Sequence, residues 1–186
     1  MATDRVYELW RLAMVHGIVG FGTCLCLILL WVAGEPFGSI NDVGNAVFGL
    51  LSAVLAWQLR TSAAVVFRAL AAVGAVITVV GSILVLTDTT GYYLAGLVSS
   101  VGFALIGIWL IAANRTAAAS VPRRLGLITG AVMALGLVGL PGVFMGLDDL
   151  NTAPGWTYVA ESSWAGTYLL FPLWSLRLGP SAPRRH

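Results

Sequence analysis

Six stretches of mainly apolar residues take up most of this chain, at 13–33, 43–59, 69–86, 92–113, 125–147 and 162–178. A helix needs about 20 such residues to cross a hydrocarbon core of roughly 30 Å at 1.5 Å per residue. Each stretch meets or approaches that length. The expected fold class is all-α, a polytopic integral membrane protein with a six-transmembrane-helix bundle. Inward-starting helices alternate with returning ones, giving three helical hairpins at 1–60, 61–115 and 116–186.

What lies between the stretches is short, the longest connection being about 148–161, so 1–186 reads as a single membrane domain with no soluble catalytic or nucleic-acid-binding unit. Composition agrees: 59% of the 186 residues are hydrophobic and 10% charged, against roughly 45–50% and 25% in soluble domains. Mean hydropathy is +0.91. Arg5 and Arg11 precede the first apolar run, but that run exceeds a signal core, Asp4 and Glu8 dilute the basic leader, and five more spans follow. Cys24 and Cys26 project to different sides of the first helix and read as small packing residues.

The charges are sorted. All ten basic residues are Arg. With six spans, Glu35, Asp42, Asp88, Asp148, Asp149 and Glu161 gather at one end. Arg5, Arg11, Arg60, Arg68, Arg115, Arg123, Arg124, Arg177, Arg184 and Arg185 gather at the other. The positive-inside rule then places both termini in the cytoplasm and the chain in the cell membrane. The same sorting rescues the sixth span, the weakest by hydropathy because of Glu161, Pro172 and Arg177. Tryptophans read as an aromatic belt, with Trp10, Trp57, Trp109 and Trp174 at the inner interface and Trp31, Trp156 and Trp164 at the outer one. Trp57, Trp109 and Trp174 each precede an Arg near the close of a hairpin, a pattern that fits either an internal repeat or interfacial anchoring.

Helix association in lipid relies on close packing, which the 22 glycines suit. Gly126-x-x-x-Gly130, followed by Gly136, Gly139, Gly142 and Gly146, marks the fifth span, and Gly17, Gly20 and Gly22 mark the first. Such faces serve either the monomer or a homo-oligomer or membrane partner. Pro141 and Pro172 predict kinks or local unwinding. Ser39-x-x-Asp42 reads as a capping box before the second span.

No ionisable group falls at the middle of a span. The central polar groups are neutral, with Ser52, Thr78, Ser99 and Ser100 the candidate lining of a path. His16 is the only histidine within a span and the other is His186, so no bis-histidine haem site and no three-ligand zinc site can form. G-x-S-x-G, H-E-x-x-H and P-loop motifs are absent, and an enzyme is the weak reading, leaving only lipid hydrolysis by paired outer carboxylates. No cofactor, catalytic residue or nucleic-acid partner is expected.

The sharpest candidate site is the acidic end. There Asp148, Asp149, Glu161, Asp88, Glu35 and Asp42 accompany Tyr92, Tyr93, Trp156 and Trp164, with Tyr158 nearby. Acids with aromatic walls suit an organic cation or a hard metal ion. At the other end Arg115, Arg123 and Arg124 suit anionic lipid headgroups, at roughly 1 kcal/mol each. Val6, Leu9, Trp10 and Ala13 share one side, so 4–12 continues the first span or lies on the inner leaflet.

The lysine-free, Ala-, Gly-, Val- and Arg-rich composition resembles that of membrane proteins from high-GC bacteria. The functional expectation is a non-enzymatic membrane module: an accessory subunit, sensor or packing partner. Its alternative is a small transporter or channel for a neutral or cationic solute, entered through an acidic outer vestibule.

Overall fold

The computed structural model describes residues 2–59, 64–115 and 122–178, with side chains from Tyr7 onward. The expected roles of Arg5, Arg60, Arg184, Arg185 and His186 therefore lie outside the described side chains. Among the described residues all regular structure is helical: α1 (Ala2–Ala33), α2 (Phe37–Gln58), α3 (Val65–Leu86), α4 (Tyr92–Arg115), α5 (Arg123–Ala134), α6 (Leu140–Met145), α7 (Thr157–Ala165) and α8 (Phe171–Leu178). A 3₁₀ turn over Leu135–Gly139 joins α5 to α6, and a π turn over Gly166–Leu170 joins α7 to α8. The result is six antiparallel rods. Five are long and apolar enough to cross a membrane: Tyr7–Ala33, Phe37–Gln58, Val65–Leu86, Tyr92–Arg115 and Arg123–Met145. The segment at 4–12 continues α1 rather than leaving it.

Lipid, not water, decides which side chains face out. On α2 the exposed large apolar residues are Ile40, Val43, Val47, Leu50, Val54 and Trp57, and on α3 they include Val66, Val73, Val76, Val80 and Ile83. Both rows follow the three-and-four spacing of one helical face. The buried face of α3 is instead Ala71, Gly74, Ala75, Thr78, Gly81 and Ser82. Large aliphatic groups gain nothing by leaving lipid for protein, whereas small ones let backbones approach. The membrane fold is written in that inversion.

Consecutive rods pack side by side and the sixth returns to α1, while α4 also touches α2, α6 and α7. In its most apolar window α4 is 61% buried, against 28% to 44% for the other four spans. Glycines set its approach to both neighbours. A methyl on Gly102 would lie 2.6 Å from the Gly74 carbonyl oxygen, and one on Gly130 would lie 2.6 Å from that of Gly107. Gly136 abuts the Ser100 carbonyl, and Gly17 lies under Leu176. Of the two uses open to these faces, the structure shows packing within the monomer, and Gly22 and Gly146 are among the few glycines with open space.

The fifth span shows why. Its buried residues run Gly126, Thr129, Gly130 and Met133, then Gly136, Gly139 and Gly142. The spacing passes from mixed three and four to strict three. A 3₁₀ turn has three residues per turn, so positions three apart eclipse and stay on one line. Pro141 follows at once, without the N–H that an α turn would use. In the sixth span the Phe171 N–H reaches back five residues to the Gly166 carbonyl, the widened turn that admits Pro172.

The main core lies in the arginine half and centres on Phe48, Phe103, Trp109, Met133, Phe171 and Trp174. Trp109 and Trp174 are fully buried, 6.3 Å apart and edge to face at 88°. The inner belt is therefore corrected. Trp10 and Trp57 face outward, but Trp109 and Trp174 fill the core because α4 and α8 sit inside the bundle at that depth. The three tryptophans that suggested a repeat do not share one environment. The capping box is corrected too. α2 starts at Phe37, and the Glu35 carboxylate accepts from both the Ser39 N–H (3.3 Å) and its hydroxyl (3.1 Å). Asp42 therefore falls inside the helix.

Candidate functional site

Between the ends of α1, α4 and α7 and the loop after α6 lies a cleft of about 240 Å³. Trp31 closes it from α1, Tyr92 and Tyr93 from the first turn of α4, Asp148, Asp149 and Leu150 from the loop. Glu161 and Trp164 complete it from α7, where a spacing of three puts both on one face. Three acids and three aromatics expected at this end are thus together, and Trp31, expected as an interface anchor, is a wall of the same cleft.

Each acid also has a local role. The Tyr93 hydroxyl donates to Glu161 Oε1 (2.8 Å). Asp149 accepts from the Asn151 backbone N–H (2.9 Å) and side-chain amide (3.1 Å). Asp148 accepts from the Gly91 N–H with one oxygen and from the Leu94 N–H (3.2 Å) with the other. It caps the free donors at the start of α4 from 54 residues away. Replacing Asp148 by Ala is expected to cost about 1–2 kcal/mol, the usual range for a lost helix cap. That is a fall of roughly 2–8 °C in the melting temperature of a chain this size. Thermal unfolding in detergent checks it, and an unchanged midpoint would show that water replaces the cap.

Four candidates lie elsewhere. Glu35 serves Ser39, and Asp88 occupies the α3–α4 turn with φ 52°, a left-handed conformation that Asp tolerates better than most residues. Trp156 covers Gly142. Asp42 lines a second, deeper cleft. Among the described residues no three His, Cys, Asp or Glu approach closely enough to hold a metal ion.

The expected central lining does not converge. Ser52 donates to the Phe48 carbonyl (2.7 Å), Thr78 to Gly74 (3.0 Å) and Ser100 to Gly96 (2.8 Å), each four residues back. Such bonds satisfy the hydroxyl within its own helix. Only Ser99 and Ser100 reach the deeper cleft. Its other polar walls are Asn41, Asp42, Asn45, Tyr92, Thr167 and Tyr168. The asparagines were the missed signal: two of them four residues apart, with Asp42 beside the first, point one polar face of α2 into the bundle.

In the arginine half His16 is fully buried between Phe48 and Phe171. Its Nε2 is hydrogen-bonded to the Ser52 hydroxyl (3.0 Å) and its Nδ1 to the Ser175 hydroxyl (2.7 Å). The imidazole thereby ties α1 to α2 and α8 from within the core. Arg115, Arg123 and Arg124 are exposed at that end of the bundle.

No family model, curated protein or solved structure matches this chain.

Proposed function

We propose that this chain is a non-enzymatic membrane module, a sensor or accessory subunit, whose acidic-end cleft binds a small organic cation bearing a quaternary ammonium or guanidinium group. The observation that carries this reading is the cleft itself: about 240 Å³ walled by Trp31, Tyr92, Tyr93 and Trp164, with Asp148, Asp149 and Glu161 at its rim. Aromatic faces attract a cation through their quadrupole at about 0.5–2 kcal/mol each, and carboxylates supply the net charge. Arginine sorting orients the molecule with this cleft outside the cell membrane and both termini in the cytoplasm. Arg115, Arg123 and Arg124 then face the anionic inner leaflet. The transport alternative is the weaker one, because three of the four hydroxyls assigned to its path are used inside their own helices.

The test is native mass spectrometry of the protein in mild detergent, titrated with tetramethylammonium and with guanidinium. A saturable one-to-one adduct is expected. Trp31 is 70% exposed, so Trp31→Ala removes a wall without disturbing the core and should weaken the adduct about tenfold, the equivalent of 1.4 kcal/mol. Equal titrations for the two proteins, or no adduct with either cation, sink the reading.

A further inference from the structure

The deeper cleft holds a carboxylate with nothing to neutralise it. Asp42 lies about 7.5 Å along α2 from its first residue, at a level where Ile40, Val43 and Val47 of the same helix face outward. It is 9% exposed, and no hydrogen bond or ion pair reaches it from the described residues. A carboxylate at membrane depth is among the costliest groups a membrane protein can bury, and it is retained where something compensates the charge. No arginine or histidine lines the cleft. The titratable groups around Asp42 are Glu35 on its own helix, Tyr92 on α4 and Tyr168 on the sixth span. None of these is a cation.

The neighbouring polar groups are already oriented. Asn41 donates its amide to the Thr23 carbonyl (2.9 Å), Asn45 to Asn41 Oδ1 (3.1 Å), and the Tyr168 hydroxyl to Asn45 Oδ1 (2.9 Å). These bonds commit one donor each of Asn41, Asn45 and Tyr168 elsewhere and leave a lone pair on Asn45 Oδ1 free, while Asp42, Ser99 and Tyr92 bring further oxygens to the lining of the same cleft. The free volume is about 20 Å³, room for one water-sized particle.

We propose that this cleft is an intramembrane site for a single dehydrated sodium ion, held by Asp42 with the neutral oxygens of Asn45, Ser99 and Tyr92. Hard oxygen donors select a hard cation. One carboxylate balances one positive charge, so a divalent ion would leave a surplus in a water-poor site, and the space excludes an organic cation. Tyr92 and Trp164 wall both clefts, which puts the sodium site directly beneath the outer one. The assignment does not depend on the outer cleft's ligand.

The experiment is thermal unfolding of the full chain in nanodiscs, titrated with sodium chloride and with potassium chloride at matched ionic strength. Sodium should raise the midpoint saturably, by about 3–5 °C at ten times its half-saturating concentration, with a smaller response to potassium. Asp42→Asn should fold without sodium at least as stably as the natural chain and lose the sodium response. Where Asp42→Asn does not accumulate, Ser99→Ala decides, with half-saturation expected to rise severalfold. The proposal is overturned by equal midpoints in the two salts, by a sodium response that survives Asp42→Asn, or by an unshifted half-saturation in Ser99→Ala. A stabilisation at low pH that needs Asp42 but ignores sodium also overturns it, since a proton would then be the compensating charge.

Discussion

Gly102→Val is expected to leave little folded monomer. The first carbon of any side chain there would meet Thr78 Oγ1, lie 2.6 Å from the Gly74 carbonyl oxygen and 2.8 Å from the Thr78 nitrogen. Two of these are backbone atoms and the third is held by its bond to the Gly74 carbonyl, so α3 and α4 must separate rather than a rotamer shift. Overpacking a good core costs about 1–3 kcal/mol and occasionally more, and this contact lies on the most buried helix. An effect at or above the top of that range is expected. Gly22→Val is the matched control, because nothing lies within 4 Å of that position, and it should stay within about 0.5 kcal/mol of the natural chain. Size-exclusion yield and melting temperature measure both. Equal behaviour of the two variants would mean that α3 and α4 do not pack as described.

Trp174→Ala is the second large effect, at about 3–5 kcal/mol for deleting a buried indole. Its ring stands 6.3 Å from Trp109 and 5.9 Å from Phe171, and its Nε1 donates to Asn114 Oδ1 (3.3 Å). Truncation opens a void between α4 and α8 and strands a buried amide oxygen. Trp174→Phe fills most of the volume and should recover more than half of the loss. Trp57, its counterpart in the first hairpin, is 52% exposed, and Trp57→Ala should cost less than about 1 kcal/mol. If both tryptophans served only as interfacial anchors, the two alanine variants would unfold at similar temperatures in detergent.

That contrast shows what the sequence made legible. Length and hydropathy locate six rods, because the bilayer sets one thickness for all of them. The starts of α2 and the sixth span come earlier than expected, at Phe37 and Thr157. Hydropathy cannot see that Asn41, Asp42, Thr157 and Glu161 extend a helix when their polar groups turn inward. Arg and Trp positions give depth along the membrane normal but not direction around a helix, so Trp57 and Trp174 read alike. The outer cleft was half legible. Tyr92, Tyr93, Asp148, Asp149, Glu161 and Trp164 sit at span ends that must lie on one face, whereas excluding Glu35, Asp88 and Trp156 takes knowledge of which helices adjoin. The three-residue glycine rhythm over 136–142 was a signal for tight winding, readable once its period is compared with three rather than with 3.6.

The tight turn over Leu135–Gly139 also acts as a rotary offset. Each 3₁₀ residue advances 120° instead of 100° and rises 2.0 Å instead of 1.5 Å, so five of them swing the rest of the span by roughly 100° and push it outward by about 2.5 Å. The azimuth at which the chain leaves the membrane, and with it the aim of Asp148 at the start of α4, is set by five residues well below the cleft, of which Gly136 and Gly139 are buried. Relaxing that turn to ordinary α winding would move each of its backbone bonds from the third to the fourth residue back, and it would dial the acidic loop away from α4 and from the cleft in one movement.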